Sequence, residues 1–194
     1  MLTNVARAWG ARFIQPIARL LTRWGLTPNA VTVLGFLLSA AVALVLATGR
    51  LTLAGLLLIA TLAFDAVDGT MARTQGTTSR FGAFLDSTLD RWTELFLYGA
   101  LVWHYLQIGQ DLYVLLAVAA MSTSVMVSYT RARAEGVGLP CKEGIFTRFE
   151  RMVVLLVGLL FGVTPWALGI IAVLAGITAV QRIFVTKRAD ETTA

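Results

Sequence analysis

The sequence of 194 residues has little charge and almost no cysteine. Charged residues make up 14% of it, whereas a soluble domain typically has about 25%. The single cysteine, Cys141, excludes an internal disulfide and a thiolate metal cluster, and no cleavable signal peptide precedes the first long apolar segment. Apolar residues dominate instead, at 57%, with a mean hydropathy of +0.76. The composition therefore indicates an integral membrane protein.

Six apolar segments approach the roughly 20 residues that are needed to cross a hydrocarbon core. They are Asn29 to Thr48, Leu51 to Val67, Gly82 to Tyr105, Leu112 to Tyr129, Met152 to Phe161 with flanking residues, and Trp166 to Val185. We therefore predict an all-α, polytopic membrane protein with six transmembrane helices and one domain, residues 1–194. The polar residues 186–194 are predicted to form a loose cytoplasmic tail.

Residues 1–25 alternate apolar and basic side chains. The apolar ones recur at near-helical spacing, and they are Phe13, Ile17, Leu20, Leu21 and Trp24. This pattern predicts an amphipathic helix that lies in the membrane interface before the first span. Thr27 and Pro28 follow as an N-cap and a proline at the first helical position, which predicts where that span begins.

Lysine and arginine are distributed unevenly between the two sides of the predicted protein. Of 16 such residues, only Arg50 falls in a segment on the side opposite the termini. The positive-inside rule therefore predicts a multi-pass protein of the cell's inner membrane with both termini in the cytoplasm. This placement also explains the net charge of +5 without nucleic acid as a partner.

Four aspartates lie in the segment DAVDGTMARTQGTTSRFGAFLDSTLD, residues 65–90, at the cytoplasmic ends of spans two and three. Asp65 and Asp68 are three residues apart and Asp86 and Asp90 are four apart, so each pair shares one helix face. A charged side chain at mid-membrane costs about 2.5 to 3.5 kcal/mol on insertion scales. One such acid would be an ordinary surface charge, but four together predict a metal site, and carboxylate oxygens suit magnesium or manganese better than zinc.

Small and basic residues accompany these acids. Gly69 and Gly82 permit a ligand to approach the backbone closely, and Arg73 offers a fork of donors to a phosphate. Metal ligands, glycines and an arginine together indicate a phosphorylated ligand.

The spacing Asp65-x-x-Asp68-Gly69-x-x-Ala72-Arg73, then eight residues, then Gly82-x-x-x-Asp86-x-x-x-Asp90, resembles the signature of the CDP-alcohol phosphotransferase family. The segment LTPNAVT, residues 26–32, is also similar to that family's lead into its first span. The resemblance implies an integral membrane enzyme, commonly a homodimer, in which an acceptor hydroxyl attacks the β-phosphorus of a CDP-lipid such as CDP-diacylglycerol and releases CMP.

The resemblance also implies site residues and a cofactor of two Mg²⁺ ions, or Mn²⁺. Asp65 and Asp86 would bridge both ions, Asp68 would hold one, and Asp90 would ligate the other and take the proton from the attacking hydroxyl. The implied CDP-lipid contacts are Gly69, Arg73, Ser79, Gly82 and the segment Pro28, Asn29, Ala30 and Val31. Ser79 fits a loop residue without a function equally well.

A second resemblance concerns the acceptor. The segment SYTRARAE, residues 128–135, with Arg151 and Arg182, is similar to phosphatidylinositol phosphate synthases, which implies that Arg131, Arg151 and Arg182 bind the phosphate of inositol 1-phosphate. Two positions depart from that subfamily, Arg131 in place of lysine and Phe149 in place of proline. Glycerol 3-phosphate is the alternative acceptor, and the positive-inside rule alone would also place arginines here.

Other interpretations are open for the whole protein and for two side chains. A cation transporter would use the aspartates for the transported ion, but such sites usually lie on broken helices related by an internal repeat, which the sequence lacks. Glu94, one turn beyond Asp90, either extends a polar cavity or pairs with Arg91 or a neighbouring helix. His104 is predicted to lie in an aromatic belt rather than to bind metal.

Overall fold

The computed structural model describes residues 15–76, 78–141 and 143–193, and all the regular secondary structure in these ranges is helical. The helices are α1 (15–23), α2 (Pro28–Ala47), α3 (Leu51–Gln75), α4 (Arg80–Gln107), α5 (Asp111–Gly136), α6 (Arg148–Phe161) and α7 (Thr164–Thr193). The predicted all-α class is confirmed. Residues 1–14 of the predicted interfacial helix lie outside the described ranges.

Each predicted span coincides with one helix, but two helices continue well into polar sequence. Helix α3 runs past Val67 to Gln75, so the whole segment with Asp65, Asp68 and Arg73 is helical. Helix α7 runs through residues 186–193, where the sequence predicts a loose tail. Lys187 and Glu191 form an i,i+4 ion pair of 3.7 Å there, and this spacing supports a helix. The expectation of a loose tail is therefore corrected for residues 186–193.

Four helices, α2, α3, α5 and α7, are long and apolar enough to cross a membrane. Helix α6 has 14 residues, which span about 21 Å, less than the roughly 30 Å of a hydrocarbon core. Helix α4 carries ionisable side chains in its first half. Large apolar side chains are exposed on these helices, among them Leu44 at 72%, Leu56 at 55% and Val173 at 61%. Such surfaces face lipid, and the protein is therefore embedded in a membrane.

The chain forms two compact units, and the first contains Met1–Val42 and Leu57–Thr93. Its helix α2 begins as predicted, because the Thr27 hydroxyl accepts a hydrogen bond from the Ala30 N–H at 3.3 Å and Pro28 occupies the first helical position. Side chains of α1, α2 and α3 form its apolar core, and the buried ones are Ala18, Val31, Val67 and Met71. This packing places the start of α2 next to the last turns of α3.

The second unit contains Ala43–Leu56 and Glu94–Ala194, and in it α5 and α6 pack against α7. Helix α6 begins at a capping box, in which the Glu150 carboxylate accepts the Thr147 N–H at 2.8 Å. It ends at Gly162, whose φ of +71° favours glycine. The following turn brings Ala167 so close to Gly158 that a Cβ on Gly158 would lie 2.5 Å from the Ala167 Cβ. Only glycine fits at position 158.

Candidate active site

A cavity of about 190 Å³ lies in the first unit, between the start of α2, the second half of α3 and the start of α4. It is lined by Pro28, Asn29, Thr32, Asp68, Gly69, Ala72, Arg73, Thr78, Ser79, Gly82, Ala83 and Asp86. The structure thus gathers two of the four predicted metal ligands and six of the eight predicted CDP-lipid residues around one space. Two predicted metal ligands, Asp68 and Asp86, thus share one cavity with Arg73, a predicted phosphate-binding residue.

Asp68 is the buried acid of this cavity, with 6% of its surface exposed. Its Oδ2 accepts a hydrogen bond of 2.6 Å from the Thr32 hydroxyl, and its Oδ1 accepts the Gly69 N–H. The carboxylates of Asp65 and Asp86 are close enough to repel it. Because buried charges in proteins are paired or coordinate metals, and the hydrogen-bond donors to Asp68 are neutral, this arrangement favours a cation from outside the chain.

The other three aspartates lie close by on α3 and α4. Asp65 packs against α2 at Gly35, where a Cβ would stand 3.7 Å from the Asp65 Oδ1. Asp90 forms an ion pair of 3.3 Å with Arg91. Neither Asp65 nor Asp90 lines the cavity, and among the described residues no three His, Cys, Asp or Glu side chains are gathered into a metal-binding group. The carboxylate and hydroxyl oxygens that are present nevertheless suit a hard divalent cation.

Arg73 and two glycines shape the walls of the cavity. The Arg73 guanidinium lies above Gly69, with Nη1 3.5 Å from where a Cβ on Gly69 would be. A Cβ on Gly82 would stand 3.1 Å from both Asn29 Oδ1 and Ser79 Oγ. Ser79 also accepts the Gly82 N–H at 2.9 Å, so it caps α4 as well as lining the cavity. Both glycines therefore leave space that any side chain would take from a ligand.

Two residues that the sequence predicts as CDP-lipid contacts do not line the cavity, and two residues that it does not predict do line it. Val31 is 1% exposed in the apolar core, and the Ala30 N–H already donates to Thr27, so neither residue lines the cavity. Thr32 and Thr78 do line it. Thr32 follows Asn29 by three residues on the same face of α2, a signal available in the LTPNAVT segment.

Arg151 lies in the second unit and is fully buried, at 0% exposure. Its Nη2 donates to both carboxylate oxygens of Glu94, at 2.8 and 3.0 Å. The Arg148 Nε lies 3.8 Å from the same carboxylate, whereas Arg91 pairs with Asp90. Of the interpretations that the sequence leaves open for Glu94, the structure supports pairing with a neighbouring helix, α6.

The other two predicted acceptor arginines belong to the same unit. Arg182 is 3% exposed and donates from Nε to the Glu143 carbonyl at 3.0 Å and from Nη1 to the Val127 carbonyl. Arg131 is half-exposed and pairs with Glu135 at 2.9 Å. Arg182 lies within electrostatic range of both Arg131 and Arg151. The three guanidinium groups thus share one region, although each already donates to a protein group.

His104 lies in the second unit against Gly49, where a Cβ would be 2.8 Å from the His104 Cε1. Its ring centroid is 5.2 Å from that of Tyr105. The positive φ of Gly49, 81°, and this close ring both require glycine at the turn. His104 thus packs against the turn at Gly49.

Comparison with known proteins extends the likeness from the cavity to the whole chain. A phosphatidylinositol phosphate synthase of Streptomyces avermitilis is 41% identical in an alignment 204 residues long, which covers 97% of this chain and 83% of that protein. The crystal structure of the Mycobacterium tuberculosis phosphatidylinositol phosphate synthase with CDP-DAG bound matches with a TM-score of 0.86 and 35% identity, over 91% of this chain and 94% of that one. The same enzyme in complex with manganese and citrate matches with a TM-score of 0.84 and 34% identity, over 89% and 88%.

The family match includes every helix that lines the cavity. Residues 25–183 match the family described as CDP-alcohol phosphatidyltransferase, and this range contains α2 to α6 and most of α7. The aspartate spacing, the acidic cavity and the match over most of the chain lead to one conclusion. The chain belongs to the CDP-alcohol phosphatidyltransferase family.

Proposed function

We propose that this protein is a metal-dependent transferase of phospholipid synthesis that moves a phosphatidyl group from CDP-diacylglycerol to inositol 1-phosphate and releases CMP. The observation that carries the proposal is Asp68, a buried carboxylate that faces a cavity with Asp86 and Arg73. A buried acid beside a phosphate-binding side chain is suited to a metal–diphosphate ligand. The CDP-DAG bound to the M. tuberculosis relative supports the donor substrate.

The cofactor in this proposal is a pair of Mg²⁺ ions, or Mn²⁺, held by Asp65, Asp68, Asp86 and Asp90. Manganese in the M. tuberculosis relative supports a divalent ion. When bound, such ions neutralise the charge of a diphosphate and stabilise the departing CMP. The Thr32 hydroxyl, 2.6 Å from Asp68, orients one of the four carboxylates for this task.

The residues around the cavity bind and orient the CDP-lipid. Arg73 donates to the phosphates, and the open space above Gly69 and Gly82 admits the nucleotide next to Pro28, Asn29 and Ser79. In the transfer step, the acceptor oxygen forms a new bond to the β-phosphorus while the bond to CMP breaks. Asp90 takes the proton of the acceptor hydroxyl.

The acceptor is inositol 1-phosphate, and Arg131, Arg151 and Arg182 recognise its phosphate. Support comes from Arg182, which lies within electrostatic range of both Arg131 and Arg151, and from the names of the relatives. A dianionic phosphate is well matched by several guanidinium groups, which form strong, charge-assisted hydrogen bonds.

In the membrane, we propose six spans, α2 to α7, with α1 in the interface and with the termini and the cavity on the cytoplasmic side of the inner membrane. Helix α4 has 28 residues and is about 42 Å long at 1.5 Å per residue, which suffices to cross with its acidic end at the surface. The single membrane domain of residues 1–194 works as a homodimer, the state that the family resemblance implies.

The direct test is CMP release by purified protein given CDP-diacylglycerol, Mg²⁺ and one acceptor at a time. We expect release with inositol 1-phosphate. Release with glycerol 3-phosphate alone would contradict the acceptor, and no release with any acceptor would contradict the transferase and favour a cation transporter.

The metal assignment is tested by Asp86→Asn, which removes one of the four carboxylates that would hold the ions and should abolish turnover. Asp111→Asn is the matched control, because Asp111 is an exposed acid in the first turn of α5. It should retain wild-type turnover. Full activity of Asp86→Asn would show that the metal ligands are misassigned.

A further inference from the structure

Glu94 is a buried acid that no part of the reaction described so far uses. It is 1% exposed, and two arginines of α6 contact its carboxylate, Arg151 at 2.8 and 3.0 Å and Arg148 at 3.8 Å. The hydroxyl of Tyr98, one turn further along α4, accepts a hydrogen bond of 3.3 Å from the Ser124 hydroxyl. Glu94 is therefore the acidic centre of a buried polar cluster.

Stability alone is a poor reason for such a cluster. Buried ion pairs often contribute no more than apolar residues of the same volume, because removing both charges from water offsets their attraction. A membrane protein has still less need of a buried carboxylate between two helices. The way in which Arg151 is bound suggests a different reason.

Arg151 has donors left over after it binds Glu94. A guanidinium carries five N–H groups, and the two of Nη2 point to Glu94. Nη1 reaches the Phe146 carbonyl at 3.5 Å, the outer limit of a hydrogen bond. Among the described residues, Nε has no hydrogen-bond partner although it is buried. A buried donor without a partner is uncommon and often marks a place that a ligand or water fills.

We propose that Glu94 is a positioning residue for the acceptor: it holds Arg151 by Nη2 and leaves Nε and Nη1 to bind the acceptor's phosphate. The carboxylate also offsets the repulsion between the buried Arg151 and the partly buried Arg148, which allows both guanidinium groups to stay on one face of α6. The inference rests on the proposed role of Arg151 in the acceptor site. It adds that the geometry of this site is set by an acid that never touches the substrate.

The test compares the KM for the acceptor with the KM for the donor in the variant Glu94→Gln. The amide keeps the size of the side chain but loses its charge, so Arg151 is no longer fixed. We expect the KM for inositol 1-phosphate to rise at least tenfold while the KM for CDP-diacylglycerol stays within twofold of wild type. Glu94→Asp keeps the charge on a shorter side chain and should raise the acceptor KM by a smaller factor.

The matched control is Tyr98→Phe, which removes a buried polar group from the same helix, one turn away. It should leave the acceptor KM within twofold of wild type. Equal effects of Glu94→Gln on both KM values, or an acceptor KM within twofold of wild type, would overturn the proposal. If Glu94→Gln fails to give a monodisperse protein in detergent, Glu94→Asp decides: an acceptor KM raised more than twofold with an unchanged donor KM supports the proposal, and any other result overturns it.

Failure of the proposed function is distinguishable from failure of this inference. If the wild-type protein uses glycerol 3-phosphate instead of inositol 1-phosphate, the acceptor is wrong and the Glu94 variants are measured with glycerol 3-phosphate. If Arg151→Ala leaves the acceptor KM unchanged, the arginine assignment fails, and the role of Glu94 fails with it.

Discussion

Replacing Thr32 by valine should weaken the metal dependence of the enzyme without unfolding it. The Thr32 hydroxyl lies 2.6 Å from the Asp68 Oδ2, and valine has nearly the same shape but no donor. A hydrogen bond to a charged group contributes about 1.5 to 3 kcal/mol, and each 1.4 kcal/mol corresponds to about tenfold in a binding constant. We therefore expect the Mn²⁺ or Mg²⁺ concentration for half-maximal activity to rise about 10- to 100-fold, the usual effect of losing a group that orients a metal ligand.

The assay for Thr32→Val is a titration of CMP release with Mn²⁺ and with Mg²⁺ after treatment with a chelator. Thr61→Val is the control, because the Thr61 hydroxyl is buried in a membrane helix and donates only to the Leu58 carbonyl of its own helix, at 3.0 Å. That variant should keep the wild-type metal requirement. An unchanged requirement in Thr32→Val would refute the idea that this hydroxyl orients a metal ligand.

Three further outcomes follow from the same contacts. A chelator should abolish CMP release, and either Mn²⁺ or Mg²⁺ should restore it; activity that survives chelation would contradict metal dependence. Gly82→Ala should raise the KM for CDP-diacylglycerol more than the KM for the acceptor, because its Cβ would lie 3.1 Å from Asn29 Oδ1 and Ser79 Oγ. Gly158→Ala should destabilise the protein by about 1 to 3 kcal/mol through overpacking against Ala167, and a melting temperature equal to wild type would show that the two helices can separate.

The sequence predicts the helices and the location of the acidic site because both depend on local spacing. Apolar segments place all the helices from α2 to α7, the short α6 included, since a chain in lipid must satisfy its backbone hydrogen bonds within each segment. The i,i+3 and i,i+4 spacings of the aspartates put each pair on one face. The helix ends in polar sequence were not predictable in this way, because apolar length does not indicate that α3 continues to Gln75 or α7 to Thr193.

The spacing of residues along the sequence does not predict which residues on different helices contact each other. Thr32 and Asp68 are 36 residues apart, and Arg151 and Glu94 are 57 apart. Whether Val31 or Thr32 faces the cavity depends on the rotation of α2 against its neighbours. Val31 packs in the apolar core. The sequence therefore indicates the segment of α2 that contributes to the cavity but not which of its side chains line it.

Asp68 and Glu94 show how one membrane protein stabilises buried acids in two opposite ways. Glu94 has its charge compensated within the chain, since Arg151 and Arg148 both contact it. Asp68 receives only a hydroxyl and an amide from the described residues, and two other carboxylates repel it. An acid that the protein neutralises itself can orient a neighbour but has little affinity left for a metal. An acid that the protein leaves uncompensated gains most from a cation, and for that reason we propose the metal at Asp68 and not at Glu94.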